Sequence, residues 1–575
     1  MARFCAVLSK NQIQNSVRLN REISGETLSV SEQILFRLTQ ETSGNAEVYT
    51  FETLSAVGEI NIYNSAEIKK NLNILHDISD GELLLRLYAK QGIDGFSRIE
   101  GMFAVAVFDG ATLVIARDAI GKRTLFYTET KENFAASTSL KFLRKTCCFE
   151  AKLNLSAVLS FLTFAYLPGE ETFFENVYEL LPAHALVIFN DGKRELINYY
   201  EPLEQIDESK SVAEHIQILR RTLESSMLTQ LGESGEELGV FLSGGVDSSL
   251  IAALAANARP GKVRTYSISF GENNPNETAY SGLVAAHCET KHKVLSFNGR
   301  QIAEHLTETI SLLDCPVGDP LTVPNFLLAR AAAEDNLHHV FNGEGGDPCF
   351  GGPKNLPMLI FALQQESHQS LATTYLSSYR KCYDDLPRLL SPDFLDQLEN
   401  LPKLERFVEP FLENPQMNSY LNRLLYVNVR TKLAHHILPK VERITSFWNL
   451  EGHSPLADKA IVDNAFTIPP QLKLKGSVEK WILKEAVRDL LPTTIIDRPK
   501  SGMRVPVQNW LGGALRELSN ELLFSRQSRI HGLFREETIR TWLKGEGLIF
   551  ARQGGKLWLL ITLEIWLRNF FDDSE

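Results

Sequence analysis

The stretch Val240-Phe241-Leu242-Ser243-Gly244-Gly245-Val246-Asp247-Ser248-Ser249 ends one apolar segment and leads into another, Leu250 to Ala258, with the composition of a helix. The pattern predicts a strand that stops at a tight glycine turn and continues into a helix N-terminus. Glycines leave backbone N–H groups accessible to an anion, serines add hydroxyl donors, and the helix N-terminus adds positive partial charge. The stretch therefore predicts a phosphate-binding loop.

This loop differs from a Walker loop, because no Gly-Lys-Ser/Thr follows it and the acid Asp247 lies inside the turn. A carboxylate beside a phosphate requires a metal ion between them. The alternative is an ordinary strand-turn-helix corner capped by serine and aspartate. The length of the pattern favours the phosphate loop.

A second glycine-rich stretch, Asn342-Gly343-Glu344-Gly345-Gly346-Asp347, follows the apolar residues His339-Val340-Phe341. Strands that alternate with single helices form parallel sheets, and ligands bind such sheets at the carboxyl ends of the strands. The two loops are therefore expected to face one crevice. Either Asp247 or Asp347 could cap a helix, but two acids in two glycine loops favour a shared divalent cation.

These loops resemble those of the ATP pyrophosphatases, the PP-loop enzymes that cleave ATP between its α and β phosphates, and in particular those of the asparagine synthetase family. The resemblance implies an adenine nucleotide α-hydrolase-like domain over residues 201–575, with a parallel sheet and flanking helices. It implies ATP and Mg²⁺ as cofactors, with Asp247 and Asp347 as metal ligands. The residues that it implies for ATP binding are Leu242, Ser243, Gly244, Gly245, Asp247, Ser248, Phe270, Asn342, Gly343 and Lys480.

The same resemblance implies three catalytic side chains. Glu344 matches the glutamate that asparagine synthetases use when an amine loses a proton and attacks the acyl adenylate, whereas β-lactam synthetases have tyrosine there. Lys500, beside Pro499, matches the lysine that holds the intermediate and pyrophosphate. Glu442 lies sixteen residues before Asp458, a spacing similar to that of the β-lactam synthetase dyad acid. A helix-surface glutamate paired with a nearby lysine or arginine is the alternative for Glu442.

Residues 1–200 contain short alternating apolar runs, such as Met102 to Phe108, which predict antiparallel strands. They resemble the glutaminase half of asparagine synthetases, which implies an Ntn-hydrolase-like αββα sandwich. Glutaminase chemistry needs an N-terminal cysteine whose α-amine serves as the base. The only early cysteine is Cys5, and the family's Asn-Gly-Glu turn is altered near Gly58 and Glu59. We therefore expect Cys5 to be a buried strand residue and the nitrogen donor not to be glutamine.

The composition excludes several classes of protein. The chain has 575 residues and a net charge of −12, which argues against nucleic acid as a partner. Seven cysteines without zinc-like spacing, and no recognisable signal sequence, indicate a reducing cytoplasm. The apolar run Leu557 to Leu567 is short and contains Glu564, so we expect a buried terminal helix and no membrane span.

The sequence predicts an ATP-dependent amide-forming ligase that acts on a small-molecule or peptide carboxylate and amine. The altered glutaminase half favours a lasso-peptide cyclase-like or β-lactam synthetase-like enzyme, with a precursor peptide or partner biosynthetic protein as a candidate partner. Two alternatives stay open. One is synthesis of asparagine from aspartate, ATP and ammonia or glutamine, which Glu344 favours. The other is a non-catalytic scaffold that retains the fold.

Overall fold

The structure is a computed structural model that describes residues 3–9, 27–29, 34–38 and 46–572, with gaps at 132, 148, 233–234, 272–273, 275–276, 365–369, 380, 500–501 and 546–552. Within these residues the N-terminal part contains two antiparallel sheets, and the C-terminal part contains a five-stranded parallel sheet surrounded by helices.

Twelve strands form the two N-terminal sheets: β1 Phe4–Ser9, β2 Thr27–Ser29, β3 Ile34–Leu38, β4 Ala46–Phe51, β5 Leu54–Ile62, β6 Gly101–Phe108, β7 Thr112–Arg117, β8 Phe126–Glu129, β9 Asn133–Ser137, β10 Val177–Glu179, β11 His184–Phe189 and β12 Arg194–Asn198. The strand orders are β10-β8-β9-β1-β3-β2 and β12-β11-β7-β6-β5-β4. The alternating runs of the sequence thus become neighbouring strands.

The two sheets pack face to face because alternate side chains of each strand are apolar. Phe36, Ala106 and Ile115 belong to the core that contains side chains from both sheets. The outer faces are covered by helices, chiefly Asp80–Gln91 on one side and Leu155–Phe164 on the other. The predicted αββα sandwich is confirmed. Among its described residues this part also contains the helices Ser65–Asn71 and Leu140–Cys147 and the 3-10 helix Gly92–Arg98.

The parallel sheet consists of β13 Leu238–Phe241, β14 Val263–Ser269, β15 Lys291–Ser296, β16 His339–Phe341 and β17 Glu451–His453, in the order β15-β14-β13-β16-β17. The helices that precede or connect these strands are Val212–Leu231, Val246–Ala258, Thr278–His287, Gly299–Ser311 and Thr322–Glu334. Strands β13 and β16 are neighbours. The two glycine-rich loops therefore leave the same edge of the sheet side by side, as predicted.

The rest of the C-terminal part is mainly helical, apart from an antiparallel pair of short strands, β18 Leu474–Lys475 and β19 Val478–Glu479. A continuous helical segment contains Tyr420–Val427, a stretch of π-helix over Asn428–Ile437, and Leu438–Phe447. Other helices of eight or more residues are Asn355–Gln364, Leu371–Tyr379, Lys459–Thr467, Arg516–Phe524, Glu536–Lys544 and Gln553–Phe571. The last of these is buried along Leu557 to Leu567, which confirms the predicted terminal helix. Among the described residues, no helix has the length and apolar character needed to cross a membrane.

The predicted division at residue 200 falls between two well-defined elements. Strand β12 ends at Asn198, and the first helix of the C-terminal part begins at Val212. A polar segment joins them. We keep this division as a proposal.

Candidate active site

The first loop is organised by its two serines. The backbone N–H of Ser243 donates to Ser248 Oγ at 3.1 Å, and the N–H of Gly245 donates to Ser243 Oγ at 3.3 Å. The two hydroxyl oxygens lie 3.0 Å apart. Helix Val246–Ala258 begins directly after this turn. Hydroxyl groups and a helix N-terminus therefore face the same space, which is the arrangement that binds a phosphate.

The second loop contacts the first one through glycines. A Cβ atom on Gly343 would lie 2.5 Å from the backbone nitrogen of Ser248, and one on Gly346 would lie 2.4 Å from Asp247 Oδ1. Both distances are far below van der Waals contact, so no larger residue fits at either position without movement. These two glycines therefore allow the second loop to pack closely against the first.

The acids of the two loops converge on one ammonium group. Lys480 Nζ lies 2.5 Å from Asp247 Oδ2 and 2.5 Å from Asp347 Oδ1. Lys480 is 0% exposed, whereas the Asp347 side chain is 42% exposed towards the crevice. The two aspartates thus lie close together, on either side of the Lys480 ammonium group, and their role as metal ligands stays a prediction.

The donor set fits Mg²⁺. Carboxylate oxygens are the protein ligands that this ion prefers, and it usually takes one or two of them together with phosphate oxygens and water. Asp247 and Asp347 supply two such groups, and because Lys480 Nζ contacts one oxygen of each, the ion would bind through the second oxygen of each carboxylate. The Asp347 side chain is partly exposed and lines the crevice, where a nucleotide could reach it.

Glu344 is positioned by hydrogen bonds within and around the second loop. Its N–H donates to Asn342 Oδ1 at 3.0 Å, while Asn342 Nδ2 donates to the carbonyl oxygen of His453 at 2.9 Å. Ser454 Oγ also donates to Asn342 Oδ1, at 2.9 Å. Burial raises the pKa of Glu344 above its usual value, and Lys440 and Lys432 partly offset this effect. A carboxylate with a raised pKa is a stronger base when ionised.

The opposite wall of the crevice carries charged residues that the sequence analysis did not select. Lys440 Nζ contacts Asp319 Oδ2 at 2.6 Å, and both line the crevice with Lys432 and Glu344. Burial opposes the charge of Lys440, but Asp319 and Glu344 outweigh it and raise its pKa. The crevice has a volume of about 470 Å³. It therefore has room, and both signs of charge, for a second substrate beside a nucleotide.

Glu442 does not line the crevice, and its contacts match the pairing with arginine that was the alternative for this residue. On an α-helix, residues two apart point in nearly opposite directions, so Lys440 and Glu442 cannot share a face. Lys440 faces the crevice. Glu442 Oε1 contacts Arg3 Nη1 at 2.9 Å and Arg123 Nη1 at 3.1 Å, and both arginines belong to the N-terminal part. Glu442 is therefore a buried ion-pair partner between the two parts.

We expect Glu442→Gln to lower the free energy of unfolding by about 3 kcal/mol at neutral pH, because it removes one of the two acids that face the buried arginines Arg3 and Arg123 and leaves Glu59 alone to balance them. Although burial opposes ionisation, Arg3, Arg443 and Arg123 lower the pKa of Glu442 to about 2. Because the pKa of Glu442 is lowered on folding, its ionised form stabilises the fold at pH values above the usual pKa of 4.5. This stabilisation is lost as the pH falls towards about 2. Denaturant unfolding measured across this pH range should show that the difference in unfolding free energy between wild type and variant becomes smaller at low pH.

The control for this variant is Glu399→Gln, which replaces an exposed glutamate in the same part of the chain. It should leave the unfolding free energy unchanged. If Glu442→Gln instead kept full stability and lost acyl transfer, the catalytic interpretation of Glu442 would be restored.

The other predicted residues are placed as follows. Leu242, Ser243, Gly245, Ser248, Asn342 and Gly343 all line the crevice. Gly244 lies in the first turn without facing the crevice, and the Phe270 ring packs edge-on against Trp510 at 5.4 Å. Lys500 lies outside the described residues, although the nearby Gly502 and Met503 line the crevice. The roles of all these residues stay predictions.

A parallel sheet with a serine–glycine phosphate loop and paired aspartates at its carboxyl edge defines a PP-loop type of nucleotide site. The family model for asparagine synthase matches residues 218–568, and that for the glutamine amidotransferase domain matches residues 48–200. The chain therefore belongs to the asparagine synthase family, whose members are ATP-dependent carbon–nitrogen ligases.

Several curated proteins are similar along most of the chain. A glutamine-hydrolysing asparagine synthetase 1 of Bacillus subtilis is 24% identical over 567 residues, which cover 92% of this chain and 87% of that protein. A glutamine-hydrolysing putative asparagine synthetase of Mycobacterium bovis is 25% identical over 560 residues, covering 89% and 84%. The amidase chry2 of Gibberella zeae is 22% identical over 515 residues, covering 77% and 75%.

Proposed function

We propose that this chain uses ATP to activate a carboxylate as an acyl adenylate with release of pyrophosphate, and then transfers the acyl group to an amine with release of AMP and a proton. The observation that carries the proposal is the convergence of Asp247 and Asp347 on one ammonium group beside the serine–glycine loop. This arrangement suits the pyrophosphate end of ATP.

Different side chains are proposed to act in adenylation and in amine capture. Ser243, Ser248 and the adjoining helix N-terminus bind and orient the phosphates, while Lys480 adds positive charge beneath them. Mg²⁺, held by Asp247 and Asp347, would neutralise charge on the departing pyrophosphate. Glu344 then accepts the proton that the attacking amine loses. Lys500 is proposed to contact the intermediate and pyrophosphate.

We further propose that the amine does not come from glutamine. Cys5 is 0% exposed within β1 and packs in the core beneath the helices. Glu59, the counterpart of the family's glutamine-holding residue, is paired with Arg3 at 3.0 Å. A glutamine would have to displace this buried ion pair. The amine and carboxylate would then belong to small molecules or to a peptide, as in the lasso-peptide cyclases and β-lactam synthetases.

Asparagine synthesis is the second candidate. Glu344, rather than tyrosine, stands in the second loop, and similar proteins are named as asparagine synthetases. In this case aspartate would be activated, and ammonia or glutamine would supply nitrogen. A scaffold function is disfavoured because a non-catalytic chain has no need to hold two acids around a cation site.

The test is ATP–pyrophosphate exchange with a panel of carboxylates: aspartate, N-acyl amino acids and short peptides. Product mass spectrometry with amide-¹⁵N glutamine, ammonium or no added nitrogen source identifies the amine. We expect carboxylate-dependent exchange and no label from glutamine. Label in the product, with release of glutamate, would overturn the proposal about nitrogen. If the panel includes the substrate class and no exchange occurs, adenylation itself is contradicted.

A further inference from the structure

Three side chains with metal-binding atoms meet at the outer edge of the parallel sheet, away from the paired aspartates. His339 begins β16, and Glu451 and His453 begin and end β17. The strands pair in parallel, with His339 opposite Glu451 and Phe341 opposite His453. Because side chains two residues apart on a strand share a face, the sheet itself brings these three groups together.

The distances between the three groups suit one ion. His339 Nδ1 lies 3.0 Å from His453 Nε2, which lies 3.6 Å from Glu451 Oε1. All three ligand atoms lie within 4.8 Å of one another. In tetrahedral zinc sites, bonds of about 2.0–2.2 Å place neighbouring ligand atoms roughly 3.3 Å apart. The two observed distances, 3.0 Å and 3.6 Å, lie on either side of this value. Small rotations of the side chains would therefore bring the ligand atoms to tetrahedral spacing.

The surroundings complete the site. Asn61, from the N-terminal sheet, donates its Nδ2 to Glu451 Oε1 at 2.6 Å and so orients the carboxylate. The His453 ring is 2% exposed and stacks on Phe341 with centroids 4.6 Å apart. A cavity of about 260 Å³ is lined by His339 and Glu451, which gives room for water as a fourth ligand.

We propose that His339, Glu451 and His453 bind a divalent transition metal ion, with zinc as the favoured ion. Two imidazole nitrogens and one carboxylate oxygen are a ligand set typical of zinc, whereas Mg²⁺ and Ca²⁺ select oxygen ligands alone. This site is distinct from the crevice and does not depend on the proposed adenylation.

The site has a structural consequence. The carbonyl oxygen of His453 accepts hydrogen bonds from the backbone N–H of Asn342 at 3.0 Å and from Asn342 Nδ2 at 2.9 Å. Asn342 opens the second loop. Metal binding would therefore fix β17 against β16 and, through Asn61, against the N-terminal sheet, and so stabilise the position of that loop.

The experiment uses the full chain, stripped with a chelator and kept free of ATP. Zinc is titrated against a chromophoric chelator, bound metal is counted by mass spectrometry, and cobalt substitution is followed by its visible absorption. We expect one zinc ion per chain, a tetrahedral cobalt spectrum, and a zinc-dependent rise in the midpoint of thermal unfolding.

Two variants test the ligands, and two serve as controls. Glu451→Gln and His339→Gln change residues that are only partly buried, and each should lower zinc affinity by at least about 100-fold, because even residues that merely orient a ligand change affinity by about 10- to 100-fold. His338→Gln replaces the adjacent, exposed histidine that lines the same cavity, and Asp347→Asn removes an acid of the crevice. Both controls should retain zinc. Equal zinc affinity in wild type and Glu451→Gln, or loss of zinc in His338→Gln or Asp347→Asn, would overturn the proposal.

Discussion

Asp347→Asn is expected to lower the rate of ATP–pyrophosphate exchange by about 1000-fold. The carboxylate is one of two proposed ligands for the ion that neutralises pyrophosphate, and such metal stabilisation is worth several kcal/mol. The amide keeps the size of the side chain and removes its charge. The remaining acid, Asp247, would still face Lys480, so the loop should keep its shape.

Measured exchange at saturating substrate, with Mg²⁺ varied, separates metal binding from chemistry. The variant should need far more Mg²⁺ and recover only part of the rate. Asp396→Asn, which changes an exposed acid outside the crevice, is the matched control and should be fully active. An Asp347→Asn enzyme with wild-type exchange and an unchanged Mg²⁺ requirement would contradict the proposed metal site.

Glu344→Gln is expected to retain ATP–pyrophosphate exchange and to lower amide formation by about 1000-fold, within the range for loss of a general base. Burial raises the pKa of Glu344 above its usual value of 4.5. Because the ionised form acts as base, wild-type amide formation should rise with pH through an apparent pKa above 4.5. That dependence should disappear in the variant.

Single-turnover measurement of adenylate consumption at several pH values tests this assignment. Glu413→Gln, at an exposed position, should keep the wild-type pH profile. If exchange and amide formation fell together in Glu344→Gln, the residue would act in adenylation or in loop structure instead of in amine capture. An unchanged pH profile in that variant would assign the titrating base to another group.

Much of the geometry of the proposed phosphate site could be predicted because its determinants are local. The Ser243–Ser248 stretch encodes its own turn through serine and glycine, and the alternation of strands and helices requires a parallel sheet. Once β13 and β16 are neighbours, Asp247 and Asp347 must emerge at the same edge. The structure also gives a reason for glycine at positions 343 and 346, since both residues pack against the first loop too closely for a larger side chain.

The charged wall of the crevice that carries Lys440 and Asp319 could not be predicted in the same way. Lys440 and Asp319 are separated by more than a hundred residues and meet only in the folded chain. The spacing between Glu442 and Asp458 predicted a catalytic role for Glu442. The direction of a helical side chain, however, depends on how the helix is rotated against its neighbours. That rotation places Lys440 in the crevice and Glu442 against Arg3 and Arg123.

The N-terminal part shows the same limit. The altered Gly58-Glu59 turn and the position of Cys5 predict from sequence that the nitrogen donor is not glutamine, and this stays a proposal. Glu59 is paired with Arg3, and Arg3 also contacts Glu442 in the C-terminal part. Such a contact between distant segments has no signature in sequence spacing, because buried arginine and glutamate are indistinguishable from surface residues until the two parts pack together.

The central claim is that Asp247 and Asp347 hold one divalent cation on the pyrophosphate end of ATP. Anomalous diffraction from crystals containing Mn²⁺ and a non-hydrolysable ATP analogue tests it most directly. We predict a single manganese peak bonded to both carboxylates and to phosphate oxygens, with the phosphates against Ser243 and Ser248. A peak that contacts neither aspartate, with the nucleotide bound outside the crevice, would contradict the claim.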